Sequence, residues 1–134
     1  MKYMILSYGS QQHYDGMAGT GDSPWTPADF VQMTEFMTAF NKELEESGEL
    51  VETRALAAPV HTRRVGNHDG RAFVTNGPYA ETEEVLAGYW IIDCASFDRA
   101  VEIAGRLQDC PCPEDVVANA YADIRPLMES ADEM

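Results

Sequence analysis

Basic residues are scarce in this chain: 9 Lys and Arg stand against 23 Asp and Glu, a formal net charge of −14 over 134 residues. Nucleic-acid affinity rests chiefly on cations that neutralise phosphates, so direct nucleic-acid binding is not expected. The same shortage disfavours adsorption to an anionic membrane. Cysteine is sparse too. Cys94, Cys110 and Cys112 are odd in number, which argues against a disulfide framework and suits a reducing compartment. Cys110-Pro111-Cys112 lacks the second ligand pair that a structural zinc site takes, so no metal is expected. No apolar run approaches the roughly 20 residues of a membrane span. Met4-Ile5-Leu6 gives way at once to Ser7-Tyr8-Gly9, with no h-region of a signal peptide, and a cytoplasmic location is the expectation. Dinucleotide-binding, phosphate-loop and Gly-x-Ser-x-Gly patterns are missing, so neither a nucleotide cofactor nor a serine nucleophile has support.

What is present fits one domain over residues 1–134 with an ordinary 45% hydrophobic content. Lys2 to Tyr8 alternates like a first strand. Gly9 to Pro24 is polar and Gly-rich, which predicts a long loop. Thr26, Pro27 and Asp29 start a helix as cap, first residue and dipole-favourable acid. Phe30, Met33, Met37, Phe40 and Leu44 form its apolar stripe, and Gly48 ends it. Leu50 to Ala57 reads as a second strand. Val60 to Val65 and Arg71 to Thr75 pair across Asp69-Gly70, a hairpin signal. Leu86 to Cys94 is the strongest strand. Ser96 caps a helix whose buried stripe is read as Phe97, Ala100, Val101, Ala104 and Leu107, stopped by Pro111 and Pro113. Asn119 to Pro126 closes the series, and residues 130–134 form an acidic tail expected to fray.

The order β-α-β, hairpin, β-α-β predicts an α+β, ferredoxin-like split βαβ fold with an inserted β-hairpin. Helices on a single face leave the other face of the sheet bare. Trp90 and Ile92 alternate with Tyr89 and Ile91, so both faces of that strand favour burial and a homodimer is expected.

The most specific stretch runs from Asn76-Gly77-Pro78-Tyr79-Ala80-Glu81-Thr82-Glu83-Glu84 into the strand Leu86-Ala87-Gly88-Tyr89-Trp90. It resembles the signature of the DGPF branch of the YCII-related family, Asp-Gly-Pro-Phe-Ala-Glu-Thr-Lys-Glu before a Gly-Tyr strand. Asn76, Tyr79 and Glu83 depart from that signature, where Asp, Phe and Lys are usual. Met1 to Leu6, Gly48 to Val51 and Ile124-Arg125-Pro126-Leu127 are similar to the family's opening strand, its Gly-x-Leu step and its closing Val-Arg-Pro. The resemblance implies a dimeric α/β barrel and, for some relatives, an association with extracytoplasmic-function sigma factors. No reaction comes with it.

The expected site is a cleft between sheet and helices. Tyr8 and Tyr89 would form walls with hydroxyl handles. Asn76, Tyr79 and Glu81 would meet the ligand at the Gly77-Pro78 bend, and Arg125 would anchor a small anionic or polar ligand. His13, beside Tyr14 and Asp15 in the 9–24 segment, could fold over a pocket, His61 opens the hairpin, and His68 reads as exposed. Three readings follow: a homodimeric small-molecule-binding module, an accessory regulator paired with a sigma factor, or a small enzyme using Glu81 as acid–base.

Overall fold

The computed structural model describes residues 1–20, 24–117 and 120–134. Its elements run β1 (Lys2–Gly9), α1 (Gln11–Met17), α2 (Pro27–Glu46), β2 (Leu50–Ala55), β3 (Arg63–His68), β4 (Arg71–Asn76), β5 (Val85–Asp93), α3 (Phe97–Arg106), α4 (Glu114–Val117) and β6 (Ala122–Pro126). β2, β5, β1 and β6 lie side by side in that order as one antiparallel sheet, and β3 pairs with β4 in a separate ribbon. This is the ferredoxin-like split βαβ arrangement with a hairpin inserted between its halves. Among the described residues no helix is long and apolar enough to cross a membrane.

Strand alternation decides what the sheet buries. Tyr3 and Ile5 of β1 pair with Ile92 and Trp90 of β5, and all four point at the helices. Phe40 and Leu44 of α2 and Ala100, Ile103 and Ala104 of α3 complete the core with Leu107. Each large apolar side chain buried there contributes about 1.5–3 kcal/mol. The Trp90 indole meets Phe40 edge-on at 5.9 Å, and its Nε1–H donates to Asn41 Oδ1 at 2.7 Å. Met4, Leu6, Tyr89, Ile91, Asp123 and Arg125 alternate onto the opposite, outer face, away from the buried core.

Local signals explain the element ends. Thr26 Oγ1 accepts from Asp29 N–H while Asp29 Oδ2 accepts from Thr26 N–H, a capping box that starts α2. Gly48 takes φ +78° beyond its end, as a left-handed cap requires. Asp69 and Gly70 both have positive φ, the type I′ geometry that matches the twist of a hairpin.

The structure departs from the sequence reading in several places. The 9–24 segment is not one long loop: β1 runs to Gly9, and Ser10 starts α1. Ser10 Oγ accepts from His13 N–H and His13 Nδ1 accepts from Ser10 N–H, so imidazole replaces the usual Glu of a capping box and hides the signal. The buried stripe of α3 includes Ile103, whereas Phe97 and Val101 are exposed. The 100, 103, 104, 107 spacing is the one that faces the sheet. Pro59–His61 forms a 3₁₀ turn, so β3 begins at Arg63 rather than Val60. β2 stops at Ala55 and β6 starts at Ala122, Asn119 lying outside the described residues. At the C-terminus Ala131–Glu133 form an exposed 3₁₀ turn.

Candidate functional site

The second half of α2 packs on the core through Phe40 and Leu44, with Met37 half-buried against it, whereas in its first half Phe30 is exposed and Met33 half-buried. Between that first half and the far ends of β1, β5 and β2 lies a cavity of about 680 Å³, within the usual range for small-molecule sites. Met33, Met37 and Asn41 line it from α2, and Ser7, Gly88, Trp90 and Thr53 from the strands. His13, Tyr14 and Met17 of α1 and the half-buried Trp25 line it as well.

α1 is pinned in place by the backbone it covers. Tyr14 OH donates to Leu56 O at 2.9 Å, and burial raises its pKa. Gln11 Oε1 accepts from Val60 N–H at 2.8 Å, and Gln12 N–H donates to Glu81 O at 2.9 Å. The helix therefore ties the cavity to both ends of the inserted segment. Because His13 Nδ1 accepts a hydrogen bond, the neutral ring carries its proton on Nε2 and offers a donor there.

Few charged groups line the cavity. Arg54 donates through Nη1 to Thr53 O and sits 3.7 Å from Glu52. Glu84 and Tyr121 line the cavity together, and the Tyr121 pKa is raised first by burial and then by that carboxylate. Cys110 and Cys112 lie on the wall. Burial and then the neighbouring Cys112 push the Cys110 thiol up to about 11, so it is protonated at neutral pH. Among the described residues, no group of three or more His, Cys, Asp or Glu is placed to hold a metal ion.

The six residues singled out in the sequence do not converge. Tyr8 lines the cavity, yet its hydroxyl turns to Asp123 Oδ2 at 2.8 Å, and that bond is the main cause of its raised pKa. Tyr89 stands on the outer face of the sheet and donates to Glu52 Oε2 at 3.0 Å. Arg125 is on that face too, opposite Met4. Asn76 ends β4 opposite Arg63. Tyr79 lies under the Arg64 guanidinium at 5.2 Å and lines a smaller cleft of about 320 Å³ with His61. Glu81 is exposed, and its backbone carbonyl carries the contact to α1. The carboxylate on the cavity wall is Glu84, three residues on.

Met33 and Met37 escaped the sequence reading as cavity walls because they have the spacing of core residues. His13, read from the sequence as able to fold over a pocket, lies on the wall, and its place three residues after Ser10 is the position where a capping box takes an acceptor.

Comparison with known proteins agrees with the topology. A YCII-related domain matches residues 1–125. An uncharacterised protein of Rhizobium meliloti is 28% identical over 109 residues, which cover 81% of this chain and 82% of that protein. With its split βαβ sheet and a match over nearly its full length, the chain belongs to the YCII-related family.

Proposed function

We propose that the protein is a small-molecule-binding module that works as a homodimer. The cavity under α1 carries this reading. Its walls of Met, Trp and Tyr suit a ring-bearing, largely apolar ligand, because thioethers and aromatic faces give dispersion contacts without demanding charge. The His13 Nε2–H supplies a donor that would orient a ligand hydroxyl or carbonyl. A free anion is disfavoured there, since Arg54 is already engaged and Glu84 would repel it. The outer sheet face supports the dimer: Met4, Leu6, Tyr89 and Ile91 lie on it only half-buried by their own chain, and a second sheet would enclose Tyr89 and Arg125. An anionic or polar ligand held by Arg125 belongs to that inter-sheet hollow.

Three probes of similar size test the cavity: 2-naphthol, 2-naphthoate and decanol. We expect 2-naphthol to raise the melting temperature and to quench tryptophan fluorescence through Trp25 and Trp90, with 2-naphthoate weaker by tenfold or more. Met37→Trp should fill the space and abolish both effects. Failure of all three probes to shift either signal overturns the reading.

The charge of −14 favours a second reading, the accessory regulator, because an acidic surface complements the basic DNA-binding face of a sigma factor. Co-purification with a sigma factor, with no probe bound, would select it.

A further inference from the structure

Among the described residues the β3–β4 hairpin pairs with no third strand. Its ladder runs one step past Arg63 and Asn76, where Gly77 N–H donates to Thr62 O at 2.8 Å, and Arg64 covers Tyr79 just beyond. A two-stranded hairpin is marginally stable in water unless something packs on it. Here Val65 and Val74 sit directly opposite each other on one face, 69% and 61% exposed. The other face alternates Arg64, His68 and Arg71 around Phe73, which lies over Gly66.

Charge sets the hairpin apart from the rest of the chain. Arg63, Arg64 and Arg71 against Asp69 leave residues 63–76 with a net charge of +2, whereas the other residues hold 6 basic and 22 acidic groups, a net −16. One third of the chain's cations stand on an arm with bare valines, and the remaining surface is strongly acidic. An acidic surface of that kind complements the arm.

We propose that the hairpin is a docking arm and that its occupant is a second copy of the chain, with the Val65–Val74 face packed on the copy and Arg63, which strand alternation puts on that same face, set against its acidic surface. The proposal rests on the homodimer reading above and adds that the arm carries part of the interface. Apolar contact supplies the affinity, and opposite charge steers and orients the encounter.

Sedimentation analysis of the full chain tests it with three variants. V65S/V74S removes the apolar contact at constant charge. R63E and K42E change net charge equally, but only R63E lies on the arm's valine face. We expect V65S/V74S and R63E each to weaken the dimer at least tenfold and K42E to leave it unchanged. The melting temperature of dilute, monomeric protein should match across all three, because the arm lies outside the core. A wild-type dimer with both arm variants unaffected overturns the arm and leaves the homodimer standing. A monomeric wild type overturns both, and equal weakening by K42E reduces the effect to general repulsion and overturns the arm. Binding of a fluorescent DNA duplex that R63E abolishes would reassign the hairpin to nucleic acid and overturn the proposal.

Discussion

Glu49, at the entry to β2, accepts two hydrogen bonds from Arg99 of α3, Nε to Oε2 and Nη2 to Oε1, each 2.9 Å. The Arg99 bonds are the main cause of its lowered pKa, with Ser47 adding to them. A carboxylate whose folded pKa lies below its unfolded value stabilises the fold above the unfolded value and loses that contribution as pH falls through the folded one. Glu49→Gln should therefore cost about 1 kcal/mol at neutral pH, a modest figure because the pair is partly solvated. The gap between variant and wild type should close below about pH 4. Urea unfolding at pH 7 and at acid pH checks this, and a constant gap would refute it. The sequence shows Glu49 beside a helix-ending glycine, but its partner lies 50 positions away. Only the packing of α3 across the sheet brings them together.

At the scale of elements, two glycines in strands separate the sheet from the arm. A Cβ on Gly88 would sit 3.0 Å from the backbone oxygen of Arg54, inside the β2–β5 pairing. Gly88→Ala should lower global stability by about 1–3 kcal/mol, because the β2 backbone it meets is held by its ladder to β5 and cannot move aside without breaking that pairing. A Cβ on Gly66 would meet the Phe73 ring at 2.5 Å, but that ring is on an exposed arm and can turn away. Gly66→Ala should leave the denaturation midpoint within the error of wild type while it loosens hairpin amides in hydrogen exchange. Equal midpoint losses in the two variants would show that the arm is part of the core. Element types were largely legible: Thr26 with Asp29, Gly48 and Asp69-Gly70 mark ends with local chemistry. α1 was not, because a histidine-based cap inside a polar, Gly-rich stretch looks like a loop.

For the whole molecule, the outer face of the sheet is the surface on which the homodimer reading depends. Ile91 lies on it, half-buried and opposite Met4. Ile91→Asp should leave the far-ultraviolet circular dichroism spectrum intact and convert the dimer to monomer in light scattering, since a buried unpaired carboxylate is costly only where a second sheet covers it. A dimer that survives this change would place the interface elsewhere. The amino-acid order by itself determined the succession of elements, the hairpin turn and the two-sided apolar strand β5, because each follows from neighbours a few residues apart. It also carried the family, through short motifs spread along the chain. Tertiary structure alone decided where the cavity lies and what lines it. α1 is pinned at the cavity by bonds to Leu56, Val60 and Glu81, contacts that span 40 to 70 residues and that no local pattern encodes.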